Sequence, residues 1–214
     1  FKDKRIKYFK SEKFDKLYSA RNKAINKSEG ELITFLDADD LWLPNKLSSQ
    51  IETMSNLNID FCFSNYYQIG KKGLNIFSKK AFRNLPSGKI YAQIVNFYNV
   101  GILTLCIRKE ILIRENIYFD TRFSIIGDFV LVIELSQKGI AYGDQNCLAC
   151  YRLHDNNLSK RKMLQVREMR TWFNDLRKKD KLDVKELRNL ISLTNYHRAI
   201  GLSYKLSFFQ ISKI

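Results

Sequence analysis

Residues 31–42, ELITFLDADDLW, constrain this chain more than any other stretch. An apolar run suited to one buried strand ends on Asp37, Asp39 and Asp40, three carboxylates in four positions. Two carboxylates about 4 Å apart repel by roughly 4 kcal/mol at an effective dielectric of 20, so the cluster is costly unless a cation sits among them. A divalent metal is the natural remedy: hard Mg or Mn ions take oxygen ligands, few of them from protein, and fill the rest with water and phosphate. In open α/β sheets such sites lie beyond the carboxyl ends of strands, where LITFL delivers the cluster. The alternative is helix capping, because Asp also stabilises the N-terminus of the helix expected near Pro44.

The flanking patterns alternate between helix and strand. Residues 15–28 place Leu17, Ala20, Ala24 and Ile25 at helical spacing, and SEGE breaks the pattern. After the cluster, Pro44 suits a first helical turn, with Leu47, Ile51 and Met54 on one stripe. Residues 59–70 read as a strand and KKG as a hairpin turn. A turn at Pro86 to Gly88 precedes a helix, and ILTLCIRKEIL reads as a strand entering another. Phe129, Val132, Ile133 and Ser136 recur at helical spacing before a Gly139 stop, and AYGDQNCLACYRLH returns to strand. From about residue 160 the character is helical: Leu164, Met169, Trp172, Phe173 and Leu176 recur at three and four residues, and Asp183 with Glu186 forms a capping box. The reading is an α/β chain with one sheet domain over 1–158 and a helical extension over 159–214.

Composition narrows the function classes. In 214 residues, 45% hydrophobic content is ample for a core, and two prolines with nine glycines argue against low-complexity linkers. No apolar segment approaches the roughly 18 to 20 residues that span a bilayer, so the chain reads as soluble. It starts on Phe1 with a charged run and no signal peptide, which reads as a lost N-terminus. A net charge of +15 attracts anions: nucleic acid, an acidic membrane surface or phosphate-bearing substrates. Residues 160–181 hold nine Lys/Arg against three Asp/Glu, which reads as a solvated face or as a basic helix lying on anionic lipid. The CLAC spacing of Cys147 and Cys150 lacks the second ligand pair of a zinc site, so Cys62, Cys106, Cys147 and Cys150 are expected as free thiols in a reducing compartment.

Competing motifs fail on particular residues. A calcium-binding EF loop starting at Asp37 needs Gly sixth and Glu twelfth, where Trp42 and Ser48 stand. A phosphatase of the Asp-x-Asp-x-Thr kind needs Thr where Leu41 stands. No aromatic-and-basic recognition motif supports sequence-specific nucleic-acid binding.

Taken together, SARNKAINKSEGELITFLDADDLWLPNKLSSQI resembles the family 2 glycosyltransferases, inverting enzymes with a GT-A fold that often build bacterial polysaccharides. That family shows an Ala-Arg-Asn helix, a Gly-Glu turn, an apolar strand, an Asp-x-Asp-Asp cluster, then Trp and Pro before a Lys-Leu helix. FDTRFSIIGDFVLVIELSQKG looks like the segment carrying its catalytic base, and YRLHDNNLS like its Arg-x-His loop. The resemblance covers roughly residues 5–160 and implies a GT-A-like mixed sheet with flanking helices, lacking the family's first strand-helix-strand unit.

The resemblance also implies roles. A nucleotide-diphosphate sugar is held with its pyrophosphate on Mg or Mn; Asp39 is the principal metal ligand, with Asp37 beside it on the ion or the donor, and Asp40 supports the site or caps the helix. Asp128 is the base that deprotonates an acceptor hydroxyl, although as a sequence feature it reads equally as the N-cap of the helix at 129–137. Arg152 and His154 belong to the loop that closes over the pyrophosphate. Arg21 approaches the nucleotide, and Trp42 is a sugar platform, or a packing residue. Two departures stand out: Gly127 occupies the place of a Glu common before the base, and Val130 that of a frequent Asp. The acceptor implied is a glycan or lipid-linked hydroxyl, reached from the cytoplasm with peripheral membrane contact. The competing class is a non-catalytic basic module on nucleic acid or an anionic surface.

Overall fold

A computed structural model describes residues 3–9, 17–70, 79–155 and 157–178. The helices are α1 (Leu17–Lys27), α2 (Lys46–Asn56), α3 (Tyr91–Asn96), α4 (Lys109–Arg114), α5 (Gly127–Lys138) and α6 (Lys162–Lys178); the strands are β1 (Leu32–Thr34), β2 (Leu41–Trp42), β3 (Phe61–Ile69), β4 (Lys79–Lys80), β5 (Cys106–Arg108) and β6 (Ala141–Arg152). They form one mixed sheet in the order β1-β5-β3-β6-β2, with β4 added to the far end of β3. Only β3 and β6 run parallel; the other pairs are antiparallel. The mixed α/β architecture expected from sequence is present. The hairpin turn expected at KKG and the capping box at Asp183 and Glu186 lie outside the described residues.

Element types match the sequence patterns, while two buried faces do not. On α1 the buried residues are Tyr18 and Ile25, and Leu17 is 41% exposed. The face is set by Asn22, whose amide donates to Phe119 O at 2.8 Å and accepts from Phe119 N at 2.9 Å, and by Tyr18 stacked on the Phe119 ring. On α2 the buried stripe is Lys46, Gln50 and Met54, and the expected Leu47 and Ile51 face solvent. Lys46 is fully buried because its amine bonds Gln50 Oε1 at 2.5 Å and lies over the Trp42 ring, while Gln50 donates to Thr104 O at 2.7 Å. A polar stripe with every partner in place outcompetes an apolar one one position away.

The core surrounds α5, where Phe129, Val130, Leu131, Val132, Ile133 and Leu135 are all buried. This explains Val130: the position points into packed protein, where a carboxylate would lack water. Gly88 carries the turn before α3 at φ 90°. Gly139 ends α5 as expected, at φ −114°, and its lack of a side chain serves packing: an added Cβ would lie 2.8 Å from Ile111 Cδ1. Helix α6 contributes Met169, Trp172 and Phe173 to the same core as the sheet, with Phe129 edge-on to Trp172 at 5.3 Å. The sequence boundary after residue 158 thus falls inside a continuously packed unit. Among the described residues no helix is long and apolar enough to cross a membrane.

Candidate active site

Pairing of β2 with β6, Leu41 opposite Cys150 and Trp42 opposite Ala149, brings the carboxylate loop beside the end of β6. Arg152 braces that loop through the backbone: its N–H donates to Asp40 Oδ1 at 2.9 Å and its Nε to Asp39 O at 2.9 Å, while Nη1 reaches Gly70 O at 3.2 Å. His154 Nε2 lies 2.6 Å from Asp39 Oδ2. Asn157 holds the His154 turn, accepting from His154 N at 2.6 Å and donating to Tyr151 Oη and Arg152 O, both at 2.9 Å.

Each carboxylate therefore has a different relief from its neighbours' charge. Asp37 pairs with the Arg21 guanidinium at 2.5 Å, and that guanidinium is only 10% exposed, enclosed by the rings of Tyr18, Phe35 and Phe119. The His154 hydrogen bond holds Asp39 below the usual carboxylate range. Burial pushes Asp40 up to about 6, and the Asp39 and Asp37 charges push the same way against the Arg152 amide.

Asp128 sits at the start of α5. Its Oδ1 accepts from Phe129 N at 2.9 Å, but the helix begins at Gly127 and its N-cap position is Ile126, so Asp128 is not the N-cap residue. Desolvation raises its pKa, opposed by the Phe129 amide and the Arg21 charge. It is half-buried and lines a cavity of about 1050 Å³. Its lining combines Arg21, Asp37, Asp39, Asp40 and His154 with apolar groups including Phe97, Ile102 and Met169. The structure thus brings together Arg21, Asp37, Asp39, His154 and Asp128, which sequence places up to 133 positions apart (154 − 21).

Arg152 acts behind this surface, bracing the loop. Trp42 stands outside it, its indole N–H donating to Leu103 O at 2.8 Å and its ring covered by Lys46. That is the packing role, and the sugar-platform expectation has no support in its position.

Sequence reasoning missed Tyr18, Tyr98 and Asn157, all of which line the cavity. Tyr98 Oη is buried with no hydrogen-bond partner among the described residues. The signal for Tyr18 was available: it lies one helical turn before Arg21 on the same face. Gly127 also gains an explanation, because the Tyr18 ring occupies the space where its side chain would stand, 2.5 Å from an added Cβ.

Asp39 and His154 are bonded to each other at 2.6 Å, and Asp37 to Arg21 at 2.5 Å. Among the described residues no group of three or more His, Cys, Asp or Glu could hold an ion.

Comparison with known proteins identifies the fold and the family. S. aureus TarS (residues 1–349) has a similar fold, with a TM-score of 0.55 and 15% identity over 82% of this chain and 48% of that one. Bacillus subtilis TuaG, named for glycosyl transfer in teichuronic acid biosynthesis, is 31% identical over 72% of this chain and 58% of its own. Escherichia coli WfgD, a UDP-Glc:alpha-D-GlcNAc-diphosphoundecaprenol beta-1,3-glucosyltransferase, is 29% identical over 80% and 64%. The chain thus spans about three fifths of these curated relatives. Residues 1–117 match glycosyl transferase family 2, and the chain belongs to that family.

Proposed function

We propose that the protein containing this chain is an inverting glycosyltransferase that moves a sugar from a nucleotide-diphosphate donor to a hydroxyl of a glycan or lipid-linked acceptor in polysaccharide synthesis. One observation carries the reading: Asp128 and the Asp37-to-Asp40 cluster, far apart in sequence, open onto one cavity. The names of TuaG and WfgD, and of TarS structures that contain UDP-GlcNAc or UDP, support the substrate class.

The chain's own groups suit the chemistry. Arg21 offers a buried positive charge to the donor, and its pairing with Asp37 keeps the guanidinium aimed at the cavity. The acceptor oxygen attacks the anomeric carbon opposite the leaving diphosphate, the carbon–oxygen bond to the diphosphate breaks, and configuration inverts. Asp128 takes the hydroxyl proton; desolvation makes it a stronger base than a surface carboxylate, while Arg21 favours its ionised form. A divalent Mg or Mn ion held by Asp39 and His154 would supply Lewis-acid neutralisation of the leaving diphosphate.

Donor supply and four free cysteines favour a cytoplasmic site of action. The exposed Lys160, Arg161, Arg167 and Arg170 on and before α6 support peripheral contact with an anionic membrane face. The test is nucleotide-sugar turnover by the full-length protein with and without Mn. Asp39→Ala and Asp128→Asn should each lower turnover by at least 10²-fold. Undiminished, metal-independent turnover by both variants would exclude the mechanism. Steeply salt-dependent binding of nucleic acid, without sugar transfer, would favour the basic-module reading instead.

A further inference from the structure

Asp128 accepts from one amide of the first turn of α5, Phe129 N at 2.9 Å, and the three amides just before the helix are held by another group. That group is a carboxylate of α6. Glu168, buried at 8% exposure, accepts from Ser124 N at 2.8 Å with Oε1 and from Ile125 N at 2.9 Å and Ile126 N at 3.2 Å with Oε2. Three consecutive N–H groups immediately before α5 thus converge on one side chain 42 to 44 residues further along. Its negative charge also sits at the positive end of the α5 dipole.

The rest of the segment is fastened in the same sense. Asn22 pins Phe119 at the segment's start, and Arg122 bridges Asp120 and Asp175 of α6, each at 2.6 Å. Helix α6 is itself anchored by Met169, Trp172 and Phe173 in the core, so Glu168 has little freedom to follow a moving loop. The loop is therefore referred to a rigid element rather than to solvent.

We propose that Glu168 is a positioning residue for the transfer reaction: by holding the backbone of 124–126, immediately before α5, it fixes the start of the helix that presents Asp128 to the cavity as the base. The proposal rests on the transferase reading above. It also assigns α6 to the catalytic unit, since a residue beyond the family-matched segment sets the geometry of the base.

Glu168→Gln keeps the volume and one carbonyl acceptor but loses the second acceptor oxygen; Glu168→Ala loses both. In the full-length protein, kcat should fall in the order wild type, Gln, Ala, by about tenfold and then about a hundredfold, the latter typical of a displacement near 1 Å at a reacting group. Donor KM should stay within about twofold, because Arg21 and Asp39 are untouched. Hydrogen exchange at the amides of Ser124, Ile125 and Ile126 should accelerate in both variants while the α5 amides beyond Leu131 keep their protection. A role confined to global stability predicts instead a lower Tm, with unchanged kcat per folded molecule and uniform exchange changes, and that result overturns the proposal. Unchanged exchange at 124–126 also overturns it. Turnover lost in Asp128→Asn but intact in Glu168→Ala overturns the positioning claim alone. Absence of nucleotide-sugar turnover in the wild type overturns the transferase reading, and the positioning claim with it, while the exchange data still report whether the clamp exists.

Discussion

Replacing Gly127 with Ala asks one methyl group to enter space already filled by the Tyr18 ring. The added Cβ would lie 2.5, 2.6 and 2.7 Å from three ring carbons, well inside ordinary contact at about 3.5–4.0 Å. The ring cannot simply retreat. Its other face stacks on Phe119 at 5.2 Å and 10°, and its hydroxyl donates to Ile125 O at 2.8 Å. Overpacking of this kind costs about 1–3 kcal/mol, and displacing the hydroxyl adds about 1 kcal/mol. Against this, Ala gains up to about 1 kcal/mol over Gly in helix propensity, less at a first-turn position. The net expectation is a loss of about 1–3 kcal/mol, a fall of roughly 1 M in the urea midpoint at an m-value of about 2 kcal/mol/M. Urea unfolding followed by tryptophan fluorescence measures it. A midpoint equal to or above wild type would mean that helix propensity acted unopposed, and would refute the claim that Tyr18 fills this space. Turnover should fall as well, since Tyr18 braces Ile125 three residues before Asp128.

Two further predictions concern pH. Burial lowers Lys46 to about 8 from its ordinary 10.5, so the unfolded chain binds its proton more tightly than the folded one. Its contribution becomes more favourable as pH rises from about 8 to 10.5; the stability of wild type relative to Lys46→Met should therefore grow across that window, by roughly 3 kcal/mol at most, in paired urea titrations. A flat difference would show that the amine is solvated. Asp40 has the opposite sign: with its pKa raised to about 6 from 3.8, stability held at low pH is lost as pH rises through 6. Asp40→Asn, which keeps an acceptor for the Arg152 amide, should match wild type near pH 4 and exceed it above pH 7 by up to roughly 3 kcal/mol in metal-free buffer. A variant less stable than wild type at pH 7 would show that the carboxylate is stabilised by a partner charge.

The strain of three adjacent carboxylates was visible in the sequence, but not how it is resolved. Like charges need an opposite charge, a donor or a proton, and the choice depends on which distant groups arrive. Here Arg21 meets Asp37, His154 meets Asp39, and burial against the Arg152 amide raises the proton affinity of Asp40. The same limit misjudged α2. Counting apolar residues favours Leu47 and Ile51, because the count assigns Lys46 to solvent; it cannot know that Gln50 and Trp42 will satisfy the buried amine.

Local pattern was sufficient where chemistry is local: helix and strand types and the strand that ends on the Asp cluster follow from periodicity and residue type along the chain, whereas the roles expected of Asp39, Asp128 and His154 came from the family resemblance. Tertiary structure alone decided which faces were buried, that Trp42 packs against Leu103 and Lys46 rather than lining the cavity, that Tyr18 occupies the place of a residue-127 side chain, and that Glu168 holds the amides before α5. The physical reason is the same in each case. Hydrogen bonds and close contacts between segments tens of residues apart outweigh local preference, and their partners exist only once the chain has folded.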